Sequence, residues 1–309
     1  LGKKIIAVSG FQGFIGSAIL KHSTNADVHI ESMSNTGGAI NIHDISELCK
    51  YFQQRRPDAI IHLAAQSNIP LSFEDPNETY RDNFLGVSTI LKALEASNIK
   101  PKFIFASTAH VYGHLSGKDL PVKEHHPLRP LSPYGLSKQC SEELLAMQGR
   151  LQNLKSVIVR PFNISGAGQS EKFVLSALAK QVVEVSLGQK ASIEVGNLNI
   201  FRDFLDVHDA AAAFIKLSIQ DHCSGTYNLC SGTPYQLSAL LAEMTQLCGV
   251  AAPIITDSSR FRSSDQPILV GCNEKLKKET GWMCHIPIEQ TLIELMNYWR
   301  NKLCQKSAL

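Results

Sequence analysis

The stretch IIAVSGFQGFIGSAILK (Ile5–Lys21) decides the fold. Ile5–Ser9 is a short β-rich apolar run, Gly10–Gly16 is a glycine-spaced turn, and Phe14–Lys21 has a helical pattern. The turn reads Gly10, Phe11, Gln12, Gly13, Phe14, Ile15, Gly16, a GxxGxxG spacing that differs by one residue from the GxGxxG dinucleotide signature. The physical needs are similar. The first glycine permits a tight turn, the next lets the main chain approach a pyrophosphate, and the third lets helix and strand pack closely. Free N–H groups at the helix start then face the phosphates. A merely flexible turn would also use glycine, but the spacing directly after a first strand favours cofactor binding.

The pattern continues outward from this unit. Strands are expected at Asp27–Ile30, Ala59–Ala64, Lys102–Ala106 and Lys155–Arg160, and helices at Ser46–Gln54, Thr79–Ala96 and Ser132–Leu151. Alternating strands and helices imply an α/β fold: a Rossmann-type, mostly parallel sheet with helices on both faces. Beyond Pro161 the rhythm loosens. Helices are expected at Phe173–Glu184, Val207–Ile219, Leu237–Leu247 and Pro287–Lys302, with short strands at Ser192–Val195 and Thr226–Leu229. The expectation is a dinucleotide-binding domain over 1–160, to which later segments return, and a smaller α/β substrate-binding lobe made mainly of 161–309.

Composition narrows the function classes. The chain has 309 residues, 44% hydrophobic and 19% charged, an ordinary globular balance. A net charge of +2 gives no reason to expect nucleic acid as a partner. The eight cysteines include no CxxC pair, so they read as thiols in a reducing compartment, with neither a disulfide framework nor a metal site. No apolar run reaches transmembrane length. The apolar run of LGKKIIAVSG is too short for a signal-peptide core, although the missing initiator Met leaves an upstream signal open. The expected location is the cytoplasm.

Two further constellations carry chemistry. Tyr134 and Lys138 stand i,i+4 in YGLSK, on one helix face. A lysine there can lower the tyrosine pKa and hold a cofactor ribose, while the tyrosine exchanges the proton that accompanies hydride transfer. Ser107 and Thr108 follow the strand Lys102–Ala106, at the carboxyl end where open α/β sheets bind ligands. Glu31, just past the second strand, is placed to bind ribose hydroxyls or to stand in solvent. Asp44 either meets the adenine amine or caps the helix near Ser46.

These motifs together resemble the extended branch of the short-chain dehydrogenases/reductases. The resemblance rests on SGFQGFIG (Ser9–Gly16), HLAA (His62–Ala65), DNFLG (Asp82–Gly86), ASTAHVYG (Ala106–Gly113), RPLSPYGLSK (Arg129–Lys138) and RPFNISGAGQ (Arg160–Gln169). It implies activity on nucleotide-activated sugars, with Tyr134 as acid/base, Lys138 tuning it and Thr108 orienting the C4 oxygen. It also implies NAD(P)H near Ile45, Leu63, Ala64, Ala65, Ser107 and Pro161, a cofactor or packing role for Asn83, and a homodimer with Leu144, Leu145 and Met147 at the contact or in the core. The late segments Val195–Phe214 and Arg260–Trp282 resemble the reductases that turn GDP-4-keto-6-deoxy-D-mannose into GDP-D-rhamnose. That places His110, Asn163, Val174, Arg202 and Arg262 around the substrate. Arginines suit a diphosphate through paired charge-assisted bonds, and surface solvation or pairing with Asp203, Asp206 or Asp265 is the alternative. Related 4,6-dehydratases follow the threonine with an acidic pair, whereas here Ala109 and His110 follow. The rival readings are a 4-epimerase with tightly held NAD and a non-catalytic nucleotide-sugar or dinucleotide-binding regulator.

Overall fold

Alternation within each strand sorts apolar side chains onto two faces, and two helical layers cover them. In the computed structural model, which describes residues 3–22, 28–258 and 266–306, this produces a six-stranded parallel sheet. Its order is Gly225–Leu229, Ser156–Pro161, Lys102–Ala106, Ala59–His62, Lys4–Ser9, Val28–Ser32. Ile6, Val8, Ile61, Ile104 and Val159 pack on one face with the helices Phe14–Lys21 and Val207–Ile219. Ala7, Ile60, Phe103 and Phe105 pack on the other with the helices Ile45–Arg55 and Gly86–Ala96. Both faces are buried, so the strands read as continuous apolar runs. The strand Gly225–Leu229, far along the chain, pairs with Ser156–Pro161 at the sheet edge.

A smaller C-terminal lobe has its own core. The helices Val174–Ser186, Leu237–Leu247 and Ile288–Lys306 enclose Leu178, Val182, Leu241, Leu295 and Trp299, whose indole donates to Ser176 Oγ at 3.0 Å. Phe201–Asp206 is the central strand of this lobe. It pairs in parallel with Asn163–Ser165 and Ile268–Leu269 and antiparallel with Pro234–Gln236.

The long helix expected over Thr79–Ala96 is interrupted. Pro76–Tyr80 is α-helical, Arg81–Leu85 forms a π turn, and the α-helix resumes at Gly86. The bulge turns Asn83 inward, a common use of a single π turn. Its amide Oδ1 accepts Gln66 N–H at 2.8 Å, while Nδ2 donates to Gln66 O and Ser137 Oγ, both at 2.9 Å. Asn83 therefore packs the helix Pro133–Gln152 against this layer, and its amide is fully used there. None of the helices among the described residues is long and apolar enough to cross a membrane.

Candidate active site

The strand order reverses between Lys4–Ser9 and Ala59–His62, which lie parallel, so the connections leaving their carboxyl ends run to opposite sides and leave a crevice. It has a volume of about 560 Å³ and is walled by Ser9, Gly10, Met33, Ile40, Ala64 and Ala65. Gly10 has φ +67°, and a Cβ there would lie 2.6 Å from Ala64 N. A Cβ on Gly16 would lie 2.4 Å from Gly10 O, so the third glycine packs the helix onto the turn itself. Gly13 caps the helix Phe14–Lys21 with main chain alone, and the first turn carries no acid. Uncapped N–H groups without a competing carboxylate fit a pyrophosphate. Gly10→Ala would force an L residue into the left-handed region at about 1–2 kcal/mol, with the Ala64 clash added. The expected result is a lower melting temperature and lost dinucleotide binding, checked by thermal unfolding and by titration.

The wall opposite Gly10 rests on His62. Ser9 Oγ accepts the N–H groups of Leu63 and Ala64 at 3.2 and 3.4 Å, so its own proton goes to His62 Nδ1 at 2.7 Å. The ring stacks on Phe105, and burial together with nearby Lys138 pushes its pKa down to about 3. His62 is a neutral structural residue at neutral pH.

Thr108, Tyr134 and Lys138 converge at the carboxyl end of Lys102–Ala106, all nearly buried. Ser132 caps the helix Pro133–Gln152 by accepting Gly135 N–H at 3.1 Å, and Pro133 occupies the first turn. That start sets the register that turns Tyr134 and Lys138 inward. The Thr108 side chain hydrogen-bonds Tyr134. Burial raises the Tyr134 pKa above the ordinary phenol value, and the bond from Thr108 partly offsets the rise. Lys138 Nζ donates to Ala106 O at 2.8 Å and lies 4.8 Å from the centre of the Phe105 ring. Burial pushes its pKa down to about 7, against the pull of Glu142 one turn further on.

Glu142, absent from the sequence reading, anchors this end of the strand. It accepts the Ser107 hydroxyl and forms a buried two-point ion pair with Arg160 at 3.0 and 2.6 Å. Arg160 also donates to the Tyr112 hydroxyl at 3.0 Å, which donates to Asn228 Oδ1 at 2.6 Å. The available signal was spacing: 134, 138 and 142 repeat at i,i+4 on one face.

The other expected site residues separate into groups. Phe11, Gln12, Phe14 and Ile15 surround the glycine turn, and Leu63 follows the strand Ala59–His62. Ile45 opens the helix Ile45–Arg55, which Asp44 caps by accepting Ser46 and Glu47 N–H at 2.9 and 3.0 Å through one oxygen. Burial pushes Glu31 up, but hydrogen bonds from Arg55 and Tyr51 more than offset it and hold the carboxyl below its usual range. Pro161 ends its strand opposite Leu229. His110, in the short 3₁₀ turn Ala109–Val111, stands edge-on to the Tyr134 ring at 6.4 Å, while Ala109 is buried. In the lobe, Asn163 Nδ2 donates to Asp203 O at 2.9 Å, and Arg202 Nη1 donates to Phe201 O and Gln266 O at 2.9 and 2.7 Å. The Asp203 carboxylate accepts Ser231 and Gly232 N–H at 2.8 and 2.9 Å. Asp206 accepts His208 N–H and the Thr291 hydroxyl. Val174 opens its helix with a partly exposed side chain. Arg262 lies outside the described residues.

Residues 24–295 match the family described as GDP-mannose 4,6 dehydratase. The chain belongs to that family. It is thus an extended short-chain dehydrogenase/reductase, as its motifs suggest. A curated relative, the GDP-6-deoxy-D-mannose reductase of Pseudomonas aeruginosa, is 34% identical over 248 residues, covering 80% of this chain and 82% of the relative. The UDP-glucose 4-epimerase of Halalkalibacterium halodurans is 28% identical, covering 96% of each chain. Among solved structures, RMD from Pseudomonas aeruginosa complexed with NADPH superposes with a TM-score of 0.91 at 30% identity, covering 97% of this chain and 100% of that one. Family membership does not bring the dehydratase's acids with it, because this member has Ala109 and His110 after Thr108.

Proposed function

We propose that the protein is a nucleotide-sugar oxidoreductase that uses NAD(P)H to reduce the C4 keto group of a GDP-linked 4-keto-6-deoxy sugar, converting GDP-4-keto-6-deoxy-D-mannose to GDP-D-rhamnose. One observation carries the reading: the Thr108 side chain hydrogen-bonds Tyr134, one helical turn before the buried Lys138, with Ala109 and His110 where a dehydratase needs carboxylates. The Pseudomonas aeruginosa reductase and the NADPH-bound RMD support the choice of nucleotide and cofactor.

The Gly10–Gly16 turn and the Ala64–Ala65 wall would hold NAD(P)H, which would supply the hydride. The chain's residues do the rest. Thr108 and Tyr134 hold the C4 oxygen between two hydroxyls, and the elevated Tyr134 pKa keeps the phenol protonated until the oxygen gains charge. Tyr134 then gives up its proton, and the nearby Lys138 ammonium stabilises the charge left behind. Asn163 and Arg202 hold the nucleotide diphosphate from the lobe side, with Arg262 as a further diphosphate ligand by resemblance. The protein works in the cytoplasm, where its eight unpaired cysteines stay reduced. It pairs as a homodimer through the helix Pro133–Gln152, on which Leu145 is core but Leu136, Met147 and Leu151 are exposed.

The direct test offers GDP-, UDP- and dTDP-4-keto-6-deoxy sugars with NADH or NADPH and follows absorbance at the nicotinamide band. Stoichiometric oxidation with the GDP sugar alone is expected. Turnover of UDP-glucose without added cofactor would replace this reading with an epimerase.

The pH profile is a second test. Lys138 must be charged, and its pKa is depressed to about 7. Tyr134 is raised, so it stays protonated across the same range. We expect kcat/KM to fall as pH rises through about 7. Glu142→Gln removes the charge that supports Lys138, so the falling limb should move to lower pH.

A further inference from the structure

Gln266 and Pro267 lead into the strand Ile268–Leu269, which lies beside Phe201 and Arg202 in the lobe. The contact extends upstream, where Phe201 N–H donates to Pro267 O at 2.7 Å. The main-chain oxygen of Gln266 accepts Arg202 Nη1, also at 2.7 Å. The Gln266 side chain reaches a different element. Its Oε1 accepts Leu115 N–H at 3.0 Å, and its Nε2 donates to Gly113 O. One residue thus ties an arginine of the lobe to the turn that follows Thr108.

That turn has little slack. Thr108 Oγ1 accepts His110 N–H at 3.2 Å, and Tyr112 N–H donates to Ala109 O at 3.2 Å. Gly113 has φ +69°, and a Cβ there would lie 1.7 Å from Arg129 O. A Cβ on Gly135 would lie 3.0 Å from His110 O, so the turn also touches the helix that carries Tyr134. Gln266 holds the same turn from the lobe side. Gly113 and Leu115 are buried, where main-chain groups need partners.

We propose that Gln266 is a positioning residue that couples a diphosphate bound at Arg202 to the placement of Thr108, so that nucleotide binding raises the rate of reduction as well as the affinity. The proposal rests on the substrate reading above, in which Arg202 meets the diphosphate. An anion drawn to the Arg202 guanidinium pulls on a group already tied to residue 266, and residue 266 is tied to the main chain of the turn. Binding energy from a remote part of a substrate is in this way used for orientation at the reacting centre. Gln266 acts through the turn and takes no part in proton transfer.

The test is a cycle of Arg202→Leu, Gln266→Leu and the double variant, made in the full chain. Calorimetry reads GDP affinity, and kcat is read with NADPH and the GDP-linked 4-keto-6-deoxy sugar. Gln266→Leu keeps the main-chain oxygen that Arg202 uses. The GDP dissociation constant should therefore stay within about threefold of native while kcat falls about 10–100-fold, the order for a small misplacement at the reacting centre. Gln266→Met, which keeps the side-chain length without the two bonds, should do the same, and a melting curve checks the fold of each variant. Arg202→Leu should weaken GDP and lower kcat in the native background. In the Gln266→Leu background it should weaken GDP but leave kcat unchanged, a coupling of at least about fivefold. Native kcat in both Gln266 variants would overturn the proposal. So would kcat effects of the two substitutions that simply multiply, or a parallel loss of kcat, GDP affinity and melting temperature in the Gln266 variants, the mark of a purely structural residue. If the native protein bound no GDP, or Arg202→Leu left its affinity unchanged, the substrate reading of the lobe would fall and the proposal with it, whereas lost coupling alone leaves that reading standing.

Discussion

Tyr134→Phe is expected to lower kcat by about 10²–10⁴-fold, the range for losing a positioned general acid. Dinucleotide affinity should stay within about threefold of native, because the phenol oxygen is an acid for substrate and a minor part of the cofactor wall. The ring supplies the packing, edge-on to His110, and phenylalanine keeps it. The fold should therefore survive, and a melting curve checks that. Steady-state kinetics with titration of NADPH separates the two effects. Near-native turnover would remove Tyr134 from the mechanism. Loss of dinucleotide binding in parallel with kcat would instead make it a structural residue.

The largest expected effect on stability lies one helical turn past Lys138. Glu142 and Arg160 are almost fully buried, with side-chain exposures of 4% and 6%, and they grip each other at two points. Burial would push the arginine down, but Glu142 and Tyr112 more than offset this and hold it firmly charged. Glu142→Leu strands that charge in the interior. Breaking a buried pair from one side costs about 3–5 kcal/mol, so the urea midpoint should fall sharply. Glu142→Leu combined with Arg160→Met removes both charges and should recover much of the loss. A change below about 1 kcal/mol in the single variant would mean that Arg160 finds solvent or another partner.

The legible parts of the sequence were those governed by local rules. The glycine turn, the strand before it and the helix Phe14–Lys21 lie within one short stretch, and the helix has the limits its pattern implies. Val207–Ile219 and Leu237–Leu247 were equally plain, because each has a clear apolar face. The meeting of Tyr134 and Lys138 on one inward face followed from i,i+4 spacing. The π turn at Arg81–Leu85 was hidden, because its cause is Asn83 reaching Gln66 and Ser137, a tertiary contact. The strand Phe201–Asp206 was hidden for a similar reason: its partners Asn163–Ser165 and Ile268–Leu269 lie far away in the chain. Glu31 and Asp44 could be placed near the cofactor by position alone. Their actual partners, Arg55 and Tyr51 for one and the helix start for the other, depend on side-chain direction.

Lys138 holds the carbonyl of Ala106, and Glu142 holds the hydroxyl of Ser107. Successive residues of one strand end are thus fastened by successive turns of one helix, and Tyr134 sits one turn before them. Tyr134, Lys138 and the Glu142 fastening share a single rigid ruler. Variation along that ruler should change rate for every sugar in proportion. On the proposed function, variation in the lobe around Asn163 and Arg202 should change which sugar is taken while leaving the ruler's spacing alone. A library that randomises the lobe can therefore search for new substrates at an intact reaction centre.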